Sequence, residues 1–298
     1  MARATLGEKN TYTENLKRSP ASRHTYKAVL SVILVISLLF FGAAPIPALA
    51  TETLQPRICN TPEELTGYIL QLAGNRESRI SVSIPVTLFE PKMSGYELLT
   101  YVFRQDNGPI RWSFQSVAIT KAAHEGYITY NYQLTYRGTQ EQDMTARRLA
   151  ASAVDKWDLK NLSARAKMDK LKKYIPANWR YDKTLESMTA YSTLTGGKGT
   201  CLGFVMACQL LLDRMGIPSQ TVHGRITETK ELHILLLVKL GDWWYTFDPT
   251  ALAREKPVLT SYLKQSYDKG FAPESEYLTS SFRRAHPMSS ADLYLPLG

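Results

Sequence analysis

Three residues of this sequence have the types and settings for covalent chemistry: Cys201, His233 and Asp248, in that order along the chain. A thiolate attacks carbonyl carbon, and an imidazole takes and returns the protons. A carboxylate on one ring nitrogen fixes the tautomer and leaves the other nitrogen for the nucleophile. Cys201 stands where the glycine-rich stretch Gly196-Gly197-Lys198-Gly199-Thr200 runs into an apolar segment. Free backbone N–H groups and the positive end of a helix at that point suit a thiolate. A lone cysteine is more often a small buried hydrophobe, so Cys201 by itself decides little.

The other two residues raise the signal. Residues 232–240 and 243–248 read as strands joined by Gly241-Asp242, a hairpin turn. A turn centred there sets His233 opposite Thr250, with Asp248 diagonal to His233 on the same face and within side-chain reach. An odd offset would have sent the two side chains to opposite faces. A loop of two or four residues keeps this relation, and a loop of three breaks it.

The elements that must position these residues follow from pattern. Cys201–Met215 is apolar almost all round and predicts a helix buried on most faces, stopped by Gly216 and Pro218. Residues 191–200 read as loop, and 219–226 as a further strand. Residues 139–157 and 163–174 are charged amphipathic segments, read as two helices. Upstream, residues 55–137 read as a small α+β module. It holds a helix starting at Thr61-Pro62-Glu63-Glu64, a strand over 79–86, a short helix over 96–104, and paired strands over 111–120 and 127–137. The change of period at Gly138 divides the chain into 1–50, 51–138 and 139–298.

Residues 1–50 read as a targeting segment. Arg3, Lys9, Lys17, Arg18, Arg23 and Lys27 precede an apolar run over 28–44, followed by Ala48-Leu49-Ala50. That order predicts a secretory signal peptide cleaved after Ala50, with an uncleaved membrane anchor as the alternative. Either places the remainder outside the membrane, in a secreted or cell-surface location. Residues 51–298 carry 30 Lys+Arg against 25 Asp+Glu, so the formal +9 of the whole chain falls to +5. That balance supports mild attraction to an anionic envelope and no nucleic-acid partner. Of the three cysteines, Cys201 and Cys208 lie about 10 Å apart along one helix, too far to bridge. Cys59 reads as free, so an exported chain keeps an unpaired thiol.

The stretches Trp179-Arg180-Tyr181-Asp182, Gly197-Lys198-Gly199-Thr200-Cys201-Leu202-Gly203-Phe204, Gly216-Ile217-Pro218, Glu231-Leu232-His233 and Trp244-Tyr245-Thr246-Phe247-Asp248-Pro249-Thr250 together resemble the bacterial transglutaminase-like core, over about residues 160–255. The resemblance implies an α+β, papain-like fold, with the nucleophile at the N-terminus of a buried helix packed on an antiparallel sheet. It implies Cys201 as nucleophile, His233 as base and Asp248 as orienting carboxylate. One departure is that Ile234-Leu235 follow the histidine, where the family often has a small residue and Trp. Another is that no Gln stands between Ala190 and Thr200 to serve as a papain-like oxyanion donor; Trp179 and Tyr181 are the candidates.

Three functions stay open on these residues: acyl transfer through a thioester on Gln or peptide amides, hydrolysis of envelope peptides at the same site, and a non-catalytic surface-binding module. The partner is then a protein or peptide, with cell-envelope peptides among the candidates, and neither a metal nor an organic cofactor is implied. The remaining candidates have plainer readings. His223 reads as structural and His286 as solvated in a polar tail. His24 precedes the cleavage site, and His124-Glu125 lacks the second histidine of a zinc helix. Gly196–Thr200 fails the phosphate-loop spacing, and Trp243-Trp244 read as one surface and one core residue.

Overall fold

Period-two alternation builds the first sheet. The structure, a computed structural model, describes residues 55–294 apart from 90–92, 107, 109, 255–260 and 265–269. The signal-peptide reading of residues 1–50 lies outside the described residues. In chain order the first elements are β1 (Arg57–Ile58), α1 (Pro62–Gly74), β2 (Arg79–Pro85), α2 (Gly95–Arg104), α3 (Ile110–Ser113), β3 (Phe114–His124) and β4 (Tyr127–Tyr136). The strands pair in the order β1-β2-β4-β3. Tyr130, Tyr132 and Leu134 of β4 point into a core with Ile80 and Val82 of β2, Leu65 and Ile69 of α1, and Leu98 and Val102 of α2. Both helices start as their sequences require, with Thr61 and Ser94 capping the first turn.

The strand expected from Arg111 begins later, at Phe114, after the helical turn α3. Tertiary bonds override local propensity here. The Trp112 indole donates to Thr221 Oγ1 at 3.2 Å and Arg111 pairs with Glu276 at 2.6 Å. Both partners are more than a hundred residues away.

A second core forms around a helix. The elements that follow are α4 (Gln140–Asp155), α5 (Ala164–Asn178), β5 (Arg180–Tyr181), α6 (Ala190–Gly196), β6 (Lys198–Gly199), α7 (Cys201–Met215), β7 (Ser219–Ile226), β8 (Leu232–Leu240), β9 (Trp243–Phe247) and α8 (Pro249–Leu252). The C-terminal segment adds β10 (Ser261–Leu263), β11 (Phe271–Pro273), a 3-10 turn (Ser275–Leu278), α9 (Ser280–Ala285) and β12 (Leu293–Tyr294). The main sheet has the order β11-β7-β8-β9 and is antiparallel throughout. Ten consecutive residues of α7, Gly203 to Leu212, are buried. The helix packs on Ile234, Leu236 and Val238 of β8 and on Met168, Leu171 and Ile175 of α5. Gly216 closes it in the left-handed conformation, φ 71°. This is the expected α+β arrangement of a buried helix on an antiparallel sheet.

Residues 190–196, expected as loop, form the helix α6. Thr189 and Ser192 make a reciprocal capping box, and Gly197 at φ 63° ends the helix. The glycines read as loop punctuation are a helix stop.

Candidate active site

The nucleophile's position is set by small residues on both sides of it. Gly197 has no room for a Cβ, which would meet Asn178 O at 2.8 Å. A Cβ on Gly199 would meet the Phe204 ring at 2.7 Å, and one on Gly203 the Ser187 carbonyl at 2.7 Å. Close approach therefore requires all three glycines around Cys201. Thr200 caps α7, its carbonyl accepting from Phe204 N–H at 3.0 Å and its hydroxyl from Gly203 N–H at 3.5 Å. Cys201 is the first helical residue, half-buried and unbridged. The N–H groups of the first helical turn have no partner within the helix.

β5 pairs in parallel with β6, Tyr181 beside Gly199, so the Trp179-Arg180-Tyr181-Asp182 stretch lies along the turn that carries Cys201. Trp179 is buried, stacked on Phe204 at 5.6 Å. Its indole meets the Tyr174 ring edge-to-face at 5.7 Å. Tyr181 is half-buried. Burial pushes its phenol up, and Cys201 is close enough to add to the shift.

His233 sits near the start of β8, opposite Gly224 of β7. Its Nε2 lies 2.8 Å from Asp248 Oδ2, and the Cys201 thiol is close enough to the ring to influence its charge. Burial opposes charge on the imidazole, but the hydrogen bond to Asp248 and the nearby Cys201 outweigh it and raise its pKa to about 10. The edge of the ring faces Phe271 of β11, with centroids 6.0 Å apart.

Asp248 divides its two oxygens. Oδ2 takes His233, while Oδ1 caps α8 by accepting from Thr250 N–H at 2.9 Å and Ala251 N–H at 3.4 Å. The β8–β9 register is the one a turn at Gly241-Asp242 dictates, from Leu240 opposite Trp243 to Leu236 opposite Phe247. The ladder stops there. His233 does not face Thr250 across a sheet, because Pro249 starts a helix and Asp248 turns out of the strand. The carboxylate reaches the imidazole from the end of β9, and its own cap fixes its direction.

Cys201, His233 and Asp248 are thus brought together, with His233 hydrogen-bonded to Asp248 and close to the thiol. The other histidines are elsewhere. His223 is packed against Trp112 and Tyr277, with Nδ1 2.5 Å from the Tyr277 hydroxyl. His286, expected to be solvated, is stacked on Phe282 at 4.1 Å and against Trp244 at 4.7 Å. Burial lowers its pKa. Trp244 is buried and Trp243 is 49% exposed. No group of three His, Cys, Asp or Glu suited to a metal occurs among the described residues. Phe271 stands beside His233, and Asp182 lies on the stretch paired with the turn that carries Cys201. Phe271 carries no local motif, whereas Asp182 stood inside one.

Residues 148–249 match the family profile of the transglutaminase-like superfamily. Among curated proteins none matches the sequence. Solved structures that are similar include a TGase (15% identity, TM-score 0.34, covering 65% of this chain and 59% of that one). Others are the periplasmic domain of TgpA from Pseudomonas aeruginosa (14%, 0.31, 43% and 57%) and calcium-bound LapG from Legionella pneumophila (14%, 0.31, 45% and 72%). This chain therefore spans about three fifths of the length of the first two.

Proposed function

We propose that the chain, whose residues 148–249 match the transglutaminase-like superfamily, is an exported cysteine enzyme that transfers the acyl group of a Gln side chain or peptide amide through a thioester on Cys201. The observation that carries this reading is the His233–Asp248 hydrogen bond at 2.8 Å, with the Cys201 thiol close enough to the same ring to influence its charge. Export is supported by the basic, apolar and Ala48-Leu49-Ala50 order of the first fifty residues.

The Cys201 sulfur attacks the amide carbonyl, and the C=O electrons move onto oxygen. The oxyanion forms beside the Cys201 N–H, the natural first donor. His233, protonated and held so by Asp248, gives its proton to the departing ammonia or amine as the C–N bond breaks. The thioester is left against a neutral imidazole. An incoming amine loses its proton to His233 and attacks the thioester carbonyl, and the sulfur leaves as thiolate. Water in place of the amine gives hydrolysis by the same steps. Phe271, 7% exposed, covers one edge of His233 and favours exclusion of water.

The deciding experiment incubates the protein with a Gln-containing peptide mixture and a tagged primary amine, followed by mass spectrometry, with Cys201→Ala as control. Tag on Gln in the wild type alone is the expected result. Cleaved or deamidated peptide without tag would make the enzyme a hydrolase. An unchanged mixture would point to a binding module on the same scaffold.

A further inference from the structure

Beneath the nucleophile lies a carboxylate that the proposed reaction does not use. Asp182 is buried, 8% exposed, at the end of β5. Its own N–H donates to Gly199 O at 2.9 Å. Oδ1 accepts from the Thr184 N–H at 3.0 Å and from the Thr184 hydroxyl at 2.7 Å, and Oδ2 accepts from the Ser187 N–H at 2.9 Å. These donors, those of Thr184 and Ser187 foremost, hold the carboxyl far below the ordinary range. The loop so closed contains Leu185 at φ 62°, with its side chain 40% exposed. A left-handed leucine costs about 1 kcal/mol, so the loop is held against local preference.

What the loop delivers is the Ser187 carbonyl. It accepts the Thr200 N–H at 2.9 Å. It also occupies the space a Cβ on Gly203 would need, so it is wedged against the first turn of α7. Thr200 is the cap of that helix and the residue before Cys201. A short run of hydrogen bonds thus connects Asp182 to Thr200, the residue that precedes the nucleophile.

We propose that Asp182 is a positioning residue for the nucleophile. By closing residues 182–187 into a fixed loop it seats the Ser187 carbonyl under Thr200, and so sets where the Cys201 thiol stands relative to His233. It acts through the backbone and touches neither substrate nor reacting atoms. The chemistry calls for a carboxylate, because three donors approach its two oxygens. An amide offers one acceptor oxygen and turns an NH2 toward one of those donors. The inference rests on Cys201 being the nucleophile.

The test needs no substrate. Iodoacetamide alkylation of Cys201 in the full chain is followed by peptide mass spectrometry at neutral and strongly alkaline pH, with N-acetylcysteine as the rate reference. Cys59 is fully buried and would be a poor reference. Asp182→Asn is expected to slow alkylation at neutral pH by about 10²-fold, the scale of a misplaced reacting group, with a much smaller effect at alkaline pH. Thr184→Ala removes one of the three bonds and is expected to slow it about fivefold in the same sense. Circular dichroism establishes that each variant is folded; should Asp182→Asn not fold, Thr184→Ala decides. A folded variant with a lowered melting temperature and the wild-type alkylation profile would overturn the proposal and leave Asp182 a stabilising clamp. Wild-type Cys201 reacting no faster than N-acetylcysteine, and unaffected by His233→Ala, would remove the premise that Cys201 is the nucleophile.

Discussion

Two histidines on neighbouring strands, His223 of β7 and His233 of β8, each have a carboxylate close by, yet their protonation is driven in opposite directions. His233 has Asp248 at 2.8 Å and rises to about 10. His223 has Glu276 at 3.7 Å and is lowered, by burial first and then by Arg111. Part of the difference lies in what else the carboxylate serves. Glu276 is shared by Arg104 at 2.5 Å and Arg111 at 2.6 Å, and their positive charge falls on His223 as well. Asp248 spends its second oxygen on backbone N–H groups, which bring no competing cation to the imidazole. A carboxylate near a histidine is therefore not enough to make a charged imidazole. Burial, the distance to the carboxylate and the cations around it decide the outcome together. One cluster ties the first sheet's helices to the main sheet; the other holds the proposed chemistry.

The largest expected effect separates the two rings outright. His233→Ala should cut amine incorporation by more than about 10³-fold. His223→Ala should leave the folded enzyme within a few-fold of wild type. Equal losses in both variants would dissolve the distinction.

The carboxylates should divide in the same way. Asp248→Asn retains a side chain that caps α8, so the variant should fold, with a loss of stability below about pH 10 where the imidazolium has lost its counter-charge. Turnover should fall about 10²- to 10⁴-fold, because the amide neither charges nor orients the imidazole in the same way. Glu276→Gln leaves two arginines without a counter-charge and should cost about 3 kcal/mol of stability, with the folded fraction keeping its turnover. Activity kept in Asp248→Asn and lost in folded Glu276→Gln would sink the assignment.

Gly224 sits between the two clusters, next to His223 and opposite His233. A Cβ there would meet Ala272 O at 2.2 Å and Pro273 Cα at 2.7 Å. Gly224→Ala should displace β11, which carries Phe271, and cost about 2 kcal/mol by denaturant unfolding. No loss of stability would mean that β11 yields without strain.

Stability against pH should show both rings. The folded pKa of His233 lies above the unfolded value of 6.5, so its contribution is complete below pH 6.5 and is lost as pH rises toward about 10. His223 is lowered, so its contribution is present above 6.5 and is lost as pH falls through its depressed folded value. Urea midpoints measured across pH should flatten on the alkaline side in His233→Ala and on the acid side in His223→Ala. Identical profiles in both variants would contradict the opposed shifts.

Sequence by itself determined what short-range rules govern. The bounds of α7 follow from a glycine-rich entry, an apolar run and Gly216. The β8–β9 register follows from the turn at Gly241-Asp242, and the charged amphipathic helices follow from their period. Helix α6 was legible in principle, since Thr189 and Ser192 cap it and Gly197 stops it, but its glycines read equally well as loop. Tertiary structure alone decided the rest. The end of the β8–β9 ladder at Phe247, and so the direction from which Asp248 meets His233, depends on a helix cap that replaces a strand pair. Phe271 reaches His233 only because β11 adds to β7. Arg104, Arg111, His223 and Glu276 meet across up to 172 positions of the chain. No periodicity encodes such a meeting, because each side chain's local environment is compatible with plain solvent until the two cores dock.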